Sequence, residues 1–322
     1  MRSAVIEAAG HPPRCVQQPR PAADPGLVTV EVQAAPITPL DKLCASGTSY
    51  FGRPATPYVP GVQGVGTVAP GTDGLPAGTP VWFATSAGMA PGDGSMREVA
   101  VVPERDVVSL PAGADPLLVA ALGLSAVAAW MALTWRGGLV AGEQVLVLGA
   151  GGVVGQSAIQ LARLAGAGRV IAAARSEAAR EQALKLGADA VVPLQPDDEP
   201  GALAQRLLAA CEGPVDLVLD PLFGVPAAAA ARTLRTGGRL VNLGSSAAET
   251  SPLESGVIRS KHLHVIGYTN NELRPEQRRD ALVLVAEHAA AGRLTVQHRV
   301  APLTEVTDAW TSGDAGRIVL TP

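Results

Sequence analysis

The chain has 322 residues, of which 47% are hydrophobic and 17% are charged, and its net charge at pH 7 is −4. This composition is typical of a globular protein, and because the length exceeds what one hydrophobic core usually serves, we expect two domains. The mild acidity and the lack of a long basic block argue against a nucleic-acid-binding protein.

Three cysteines lie far apart, at Cys15, Cys44 and Cys211. They form no CxxC pair, so the sequence supports neither a disulfide framework nor a multi-cysteine zinc lobe. Glu7 interrupts the N-terminal apolar residues too early for the core of a signal peptide. We therefore expect a protein of the reducing cytoplasm.

The first 115 or so residues are rich in Pro and Gly and contain short alternating apolar runs, which are typical of an irregular β-rich domain. An uncharged stretch from Leu117 to Trp135 follows and is long enough to resemble a membrane span. Asp115 and Pro116 have the composition of a helix start, and Gly123 and Ser125 interrupt the apolar run. We expect two short buried helices here and no membrane segment.

From about residue 120 to 262, short apolar runs alternate with Ala- and Leu-rich amphipathic stretches. Such alternation predicts a parallel sheet covered by helices on both faces. The five runs predicted as strands are Val145–Leu148, Val170–Ala173, Ala190–Val192, Leu217–Leu219 and Leu240–Leu243. The remaining residues contain one helical pattern, ALVLVAEHAAAGRL, and a closing strand, GRIVLTP.

A glycine-rich turn follows the first of these runs and reads GAGGVVG over residues 149–155. An amphipathic stripe continues after it, so the segment predicts a strand, a tight turn and a helix. The N-terminus of such a helix offers free N–H groups and a positive dipole end to a pyrophosphate. The residues expected to hold that group are Ala150, Gly151, Gly152, Val153 and Val154. The alternative is a close-packed corner without a ligand.

The end of the second predicted strand bears on which dinucleotide binds. A carboxylate there would hydrogen-bond the ribose of NAD, but position 175, 20 residues after Gly155, is Arg. Arg175 and Ser176 supply a cation and a hydroxyl for a 2′-phosphate, which favours NADPH. The alternatives are that Glu177 binds the ribose of NAD, or that Arg175 is only a solvated surface charge.

With these motifs the chain resembles the medium-chain dehydrogenase/reductase superfamily, in its zinc-independent quinone oxidoreductase (zeta-crystallin-like) branch. The resemblance lies in the A-x-x-G-x-x-G glycine motif, in PYVPGVQGVGTV, in the closing GRIVL, and in their order. It implies an α/β fold with a Rossmann doubly wound parallel sheet domain and a GroES-like β-rich substrate domain. The implied bounds are 120–263 for the Rossmann NADPH-binding domain, and 1–119 with 264–322 for the discontinuous substrate domain.

Zinc-dependent members of this superfamily carry a Cys three residues before an Asp and a His in a Gly-His-Glu segment. Here Thr38 precedes Asp41 by three residues, and the second segment reads Gly61-Val62-Gln63. Neither Thr38 nor Val62 supplies those ligands, so we expect no metal. Without a Lewis acid, hydride addition to a quinone or an enone is easier than alcohol oxidation.

The resemblance places two residues as catalytic candidates. Tyr50 falls where related enoyl reductases carry a tyrosine, which would hydrogen-bond the substrate carbonyl or deliver a proton, or else form an apolar wall. Thr38 replaces the Asn of the family's N-P-x-D segment and remains a hydrogen-bond donor. Ala128 stands where the family often has Thr. The replacements at positions 38 and 128 both indicate a specialised substrate.

Further cofactor-binding candidates follow later strands or lie near the C-terminus. These are Gly244, Ser245 and Ser246 after the fifth strand, Gly267 and Tyr268 after another, and Arg317 in the closing strand, where a plain surface charge is the alternative. The family resemblance also implies a homodimer through the sheet edge around residues 257–268.

The leading hypothesis is a zinc-independent, NADPH-dependent oxidoreductase that transfers hydride to a small quinone or α,β-unsaturated carbonyl. The alternatives are a polyketide-tailoring enoyl reductase with one narrow substrate, and an NADPH-binding protein with little turnover. The sequence does not identify the hydride acceptor.

Overall fold

The computed structural model describes residues 1–22, 26–72, 74–313 and 316–322. In these residues the strands, in chain order, are β1 (Arg2–Val5), β2 (Arg14–Gln17), β3 (Leu27–Ile37), β4 (Gln63–Val68), β5 (Pro80–Ala84), β6 (Val99–Pro103), β7 (Val107–Ser109), β8 (Gln144–Leu148), β9 (Arg169–Ala174), β10 (Ala190–Pro193), β11 (Val215–Asp220), β12 (Leu234–Asn242), β13 (His264–Gly267), β14 (His298–Pro302) and β15 (Arg317–Thr321). The helices are α1 (Pro39–Ser46), α2 (Pro116–Met131), α3 (Val153–Leu164), α4 (Glu177–Lys185), α5 (Pro200–Ala210), α6 (Gly224–Thr233), α7 (Ser255–Ser260), α8 (Pro275–Ala290) and α9 (Val306–Thr311).

Two compact units divide the chain. The first consists of residues Met1–Gly123 and Pro275–Pro322, and the second of Leu124–Arg274. The sequence-based division after residue 263 falls just before β13, yet β13 pairs with β12 inside the sheet of the second unit. The structural bounds of the second unit are therefore 124 and 274, where the sequence predicts 120 and 263. The difference at the second junction assigns β13 to this unit.

The first unit is built on a seven-stranded sheet. Its strands follow the order β14-β15-β3-β4-β5-β7, and β6 pairs with β3 outside that path. Among the described strands of this sheet, β14 and β15 pair in parallel and the other ladders are antiparallel. The long strand β3 alternates buried and exposed residues at its centre, from Val30 to Ala34, as a strand with one face on the core does, and it is mostly buried on either side. This unit confirms the β-rich domain predicted from the alternating runs.

The second unit is built on a six-stranded parallel sheet in the order β10-β9-β8-β11-β12-β13. Every residue of β8 is buried, because helices cover a parallel sheet on both faces and its central strands read as continuous apolar runs. The five predicted runs coincide with β8 to β12, which confirms the predicted α/β class. Strand order reverses between β8 and β11, the position at which doubly wound sheets open a ligand crevice at their carboxyl edge.

The long apolar stretch forms helix α2 and a following π-helical turn, Ala132–Arg136. Gly123 breaks α2 into two helices with φ 30° and ψ −130°, as the sequence predicted. A methyl group on Gly123 would lie 2.1 Å from the side-chain oxygen of Gln63, so neither the backbone nor the space accepts another residue. Pro116–Arg136 is long and apolar enough to cross a membrane, as buried core helices also can be, and 67% of its most apolar stretch is buried inside the protein.

Candidate functional site

The glycine-rich turn joins β8 to α3 at the carboxyl edge of the parallel sheet. Gly149 adopts φ +65°, a conformation that favours glycine, and starts the turn. The N–H of Ala150 donates to the carbonyl of Ala173, so the turn is also fixed to the end of β9. Helix α3 begins at Val153, and its N-cap residue, Gly152, has no side chain to cap it. The N–H groups of the first helical turn are thus left for a ligand, together with the positive end of the helix dipole.

Two glycines of this turn have different steric roles. A methyl group on Gly155 would lie 2.4 Å from the carbonyl oxygen of Gly149 and 2.6 Å from the Cα of Ala150. Both contacts are with backbone, which cannot rotate away. A methyl group on Gly152 would lie 3.7 Å from the oxygen of Gly149, an ordinary contact. Gly155 therefore allows α3 to approach the turn, whereas Gly152 keeps the surface of the turn open.

Replacing Gly155 with Ala should lower the free energy of unfolding by about 1–3 kcal/mol, because the methyl group forces the turn and the helix apart. Gly152→Ala is the matched control, and it should cost about 0.5 kcal/mol through its weaker N-cap. Urea denaturation of both variants measures the difference. Equal destabilisation by the two substitutions would contradict the close approach at Gly155.

Arg175 and Ser176 lie on the exposed turn between β9 and α4. The Ser176 hydroxyl accepts a hydrogen bond from the N–H of Ala179 at 3.2 Å and so caps α4. A methyl group on Gly151 would lie 3.0 Å from the Cβ of Ala179, which places the start of α4 beside the glycine-rich turn. The two residues predicted for a 2′-phosphate therefore lie next to the predicted pyrophosphate site.

Arg180 is a cation at this place that the sequence reasoning missed. Its guanidinium donates to the carbonyl of Ala174 at 3.3 Å and to that of Arg175 at 2.6 Å. In the described part of the chain, neither Arg175 nor Arg180 forms an ion pair with a carboxylate. A signal existed in the sequence, since helical side chains lean toward the N-terminus and a residue in the first turn of α4 can reach back to the end of β9. Glu177 and Glu181 stand close to these arginines in the sequence, but no carboxylate of the described residues pairs with either guanidinium.

The ends of β11 and β12 are connected by a buried carboxylate, which the sequence reasoning also missed. Asp220 is fully buried, and its Oδ1 accepts from the N–H groups of Leu222 at 2.9 Å and Phe223 at 2.8 Å. Its Oδ2 accepts from the amide of Asn242 at 3.0 Å. Burial raises the pKa of the Asp220 carboxyl, and the same hydrogen bonds act in the opposite direction.

The predicted residues after β12 lie beside the segment that follows β11. Ser246 donates through both its N–H and its hydroxyl to the carbonyl of Pro221, and a methyl group on Gly244 would lie 2.9 Å from the same oxygen. Ser245 is exposed, and its hydroxyl donates to Glu249 at 2.7 Å. Gly244 and Ser246 are thereby brought to the carboxyl edge of the sheet with the glycine-rich turn.

Gly267 is the last residue of the edge strand β13, and Tyr268 follows it. The carbonyl of Gly267 accepts from the guanidinium of Arg136 at 3.2 and 3.3 Å. The Tyr268 hydroxyl donates to the side chain of Asn270 at 2.6 Å, and its ring meets Trp135 edge-on at 6.4 Å. Burial raises the pKa of Tyr268, so its phenol stays protonated as a donor.

Thr38 and Asp41 form a buried capping box at the start of α1. Thr38 Oγ1 donates to Asp41 Oδ2 at 2.6 Å and accepts from the N–H of Asp41. The other carboxylate oxygen accepts from the N–H groups of Gly61 and Val62 at 3.1 and 2.9 Å. Asp41 thus orients backbone, and burial raises the pKa of its carboxyl despite these hydrogen bonds. The single proton of the Thr38 hydroxyl is already donated, so a bond from it to a substrate requires this one to break.

Tyr50 and Tyr58 have opposite environments. Tyr50 is 75% exposed, and its ring lies 4.2 Å from that of Phe51 at a tilt of 37°. Tyr58 is 6% exposed, and its hydroxyl has no hydrogen-bond partner among the described residues. Burial, with the nearby Asp41 and Cys44, raises the pKa of Tyr58. The structure leaves the Tyr50 phenol accessible, and its catalytic role stays a prediction.

Arg317 lies inside the first unit. It is 5% exposed, and its guanidinium donates to the carbonyl of Ile37 at 2.8 Å. Burial lowers the pKa of Arg317 to about 10, and Asp41 acts in the opposite direction. The alternative of a surface charge is wrong because the closing strand carries this side chain into the interior. Its proposed contact with a cofactor stays a prediction.

Two family models match most of the chain. One, described as an alcohol dehydrogenase GroES-like domain, matches residues 24–112, and the other, described as a zinc-binding dehydrogenase, matches residues 153–287. Among the described residues, no group of three or more His, Cys, Asp and Glu side chains is placed to hold a metal ion.

Individual relatives differ in how much of their length the chain covers. Quinone oxidoreductase of Lama guanicoe is 28% identical over 310 residues, which are 93% of this chain and 90% of the relative. A phenolphthiocerol/phthiocerol polyketide synthase protein of Mycobacterium tuberculosis is 32% identical over 181 residues, 55% of this chain, but the chain spans only 8% of that protein. The quinone oxidoreductase of Thermus thermophilus, solved also in complex with NADPH, has a TM-score of 0.82 at 27% identity and full coverage of both chains.

Proposed function

The chain belongs to the medium-chain dehydrogenase/reductase superfamily, in its zinc-independent quinone oxidoreductase branch, and on this premise we propose that it is an NADPH-dependent reductase of a quinone or an α,β-unsaturated carbonyl compound. A nicotinamide cofactor follows from the family. The choice of NADPH, the hydride acceptor and the residues of the site are our proposals for this chain.

The observation that carries the proposal is an uncapped helix start beside two arginines that form no ion pair among the described residues, at the end of the next strand. The N–H groups of Val153 and Val154, with the open surface of Gly152, suit a pyrophosphate. Arg175 and Arg180 then suit the 2′-phosphate that distinguishes NADPH from NADH. Glu177 is the rival residue for NADH, but as the first residue of α4 it lies beyond the cap formed by Ser176.

When bound, the reduced nicotinamide supplies the hydride. The chain supplies the positioning, the exclusion of water and the proton. Thr38 and Val62 supply no zinc ligand, so we expect a hydrogen bond to polarise the acceptor carbonyl. Tyr50 is our candidate for that bond and for delivery of the proton, because its phenol is exposed and no described residue competes for its hydrogen bond. Thr38 is the second candidate donor.

A second function has a specific observation in its favour. The similarity to part of a mycobacterial polyketide synthase supports an enoyl reductase that acts on one biosynthetic thioester. The same hydride-and-proton chemistry serves both acceptors, so the two proposals differ in the substrate and not in the cofactor. A low-turnover NADPH-binding protein remains the third hypothesis.

We also propose that the protein is a cytoplasmic homodimer. Strand β13 lies at the edge of the six-stranded sheet and is largely exposed, with Val265 43% accessible. An exposed edge with apolar side chains can pair with a second copy of itself.

The test is NADPH oxidation by the purified full chain with a panel of naphthoquinones, enones and enoyl thioesters. We expect faster turnover with NADPH than with NADH, and no loss of rate after treatment with a chelator. Turnover confined to enoyl thioesters would favour the second function. NADPH binding without turnover of any acceptor would favour the third, and inactivation by the chelator would contradict metal-free chemistry.

A further inference from the structure

We propose that Asp220 is a positioning residue of the cofactor crevice, which holds the segments after β11 and β12 against the glycine-rich turn. This inference rests on the proposed function, because it concerns how the dinucleotide site is kept in shape. Asp220 touches neither the expected phosphates nor the reacting atoms; it acts through the backbone of two neighbouring segments.

The place of Asp220 in the sheet is the first part of the argument. It is the last residue of β11, which pairs with β8 through Leu219 and Val147. The strand order reverses between β8 and β11, so Asp220 ends the strand on one side of the crevice and the glycine-rich turn begins on the other. A methyl group on Gly149 would lie 3.0 Å from the side chain of Leu222, which shows how closely the two segments pack.

The hydrogen bonds of Asp220 connect three pieces of backbone. Its Oδ1 holds the N–H groups of Leu222 and Phe223, and its Oδ2 holds the amide of Asn242. Asn242 in turn donates to the carbonyls of Asp220 at 3.2 Å and Gly244 at 2.8 Å. The segment after β11 and the segment after β12 are therefore joined through one pair of buried side chains.

The backbone at Phe223 is the reason these hydrogen bonds of Asp220, which we call the clamp, are needed. Phe223 adopts φ 57° and ψ −156°, a region occupied almost only by glycine, and Gly224 follows with φ 63°. A strained conformation persists only where the surroundings hold it. The hydrogen bond from the N–H of Phe223 to Asp220 holds this conformation directly, because it fixes the amide of the strained residue itself.

The conservative variant Asp220→Asn keeps the volume of the side chain but leaves it one acceptor oxygen where the carboxylate has two. Asparagine can still accept the two backbone N–H groups, but its amide would then face the amide of Asn242, donor against donor. One of these bonds must be lost, so the segments after β11 and β12 should loosen. We expect NADPH to bind about tenfold more weakly, because a buried hydrogen bond to a charged group is lost.

Asp216→Asn is the matched control. Asp216 lies in the same strand, accepts the N–H of Gln144 at 2.7 Å and pairs with Arg235, but it lies at the amino end of the sheet, away from the crevice. It should lower the melting temperature and leave the Kd for NADPH unchanged. Equal weakening by both variants would show a general loss of stability and overturn the inference.

Amide hydrogen exchange without cofactor gives a second readout that does not depend on the proposed function. Asp220→Asn should speed exchange in residues 221–224 and 244–248, and Asp216→Asn should not. Unchanged exchange there, or NADPH binding of wild-type strength in a folded Asp220→Asn protein, would overturn the inference. Failure of the wild-type protein to bind NADPH would instead refute the proposed function.

A second substitution tests the role of strain. Phe223→Gly removes the backbone conformation that must be held, so adding it to Asp220→Asn should recover part of the lost NADPH affinity and slow the exchange in 221–224. A double variant that binds as weakly as the sum of the two single effects would show that Asp220 does not act through Phe223.

Discussion

Replacement of Arg175 with aspartate is expected to weaken NADPH binding about 100-fold, because it removes a cation and sets a negative charge beside the 2′-phosphate. NADH lacks that phosphate, so the changed charge acts on it only through screened, longer-range electrostatics, and its Kd should change about threefold or less. Stability should stay near that of the wild type, since Arg175 is exposed and lies on a turn. Fluorescence titration with both nucleotides at one ionic strength measures the two Kd values.

Lys185→Asp is the control for this experiment. It makes the same change of charge at the other end of α4, on an exposed side chain, and should leave the NADPH affinity within about twofold. Arg180→Ala should reproduce a smaller part of the effect if both cations hold the phosphate. Equal losses for NADPH and NADH in Arg175→Asp would remove the 2′-phosphate from this site and favour Glu177 and NADH.

Replacement of Tyr50 with phenylalanine is expected to lower kcat about 100-fold, within the range of general acid catalysis by a placed side chain. KM should change little if the phenol acts mainly in the transition state. The hydroxyl of Tyr50 is exposed and bonds to no other described residue, so its removal should not alter the melting temperature. Steady-state kinetics with the best acceptor of the panel measures both constants.

Tyr58→Phe is the matched control, because it removes a phenol that is buried and has no partner in the described part of the chain. We expect unchanged kcat and equal or slightly higher stability, since no hydrogen bond of that hydroxyl is lost. Unchanged turnover in Tyr50→Phe would assign the proton to water or to another donor, and Tyr50 would then be an apolar wall of the substrate pocket.

The glycine-rich turn was readable from the sequence because its determinants are local. An apolar run, small residues and an amphipathic stripe follow one another within about 20 residues and define a strand, a turn and a helix. Arg175 was found for the same reason, from its distance to Gly155. Thr38 also has a local signal for its structural role, since Thr-Pro-Leu-Asp has the pattern of a capping box with proline at the first helical position.

Asp220 and Asn242 could not be read from the sequence, because their roles come from pairing between strands. They are 22 residues apart, and only the parallel register of β11 and β12 brings the two side chains together. Arg317 is a similar case, as its burial depends on β15 pairing with β3, about 280 residues earlier in the chain. Edge strand β13 lacked the apolar run of the others because its residues are mostly exposed.

The break in α2 restricts position 123 in two separate ways, through its backbone conformation and through its contact with Gln63. Any other residue at Gly123 carries a Cβ, which would meet the side-chain oxygen of Gln63 at 2.1 Å in a backbone conformation that glycine alone tolerates. Gln63 is itself held from the other side by the indole N–H of Trp82 at 3.0 Å, so it cannot swing away freely. A smaller residue at position 63 would remove this contact but not the backbone conformation, so we expect position 123 to accept glycine alone whatever stands at 63.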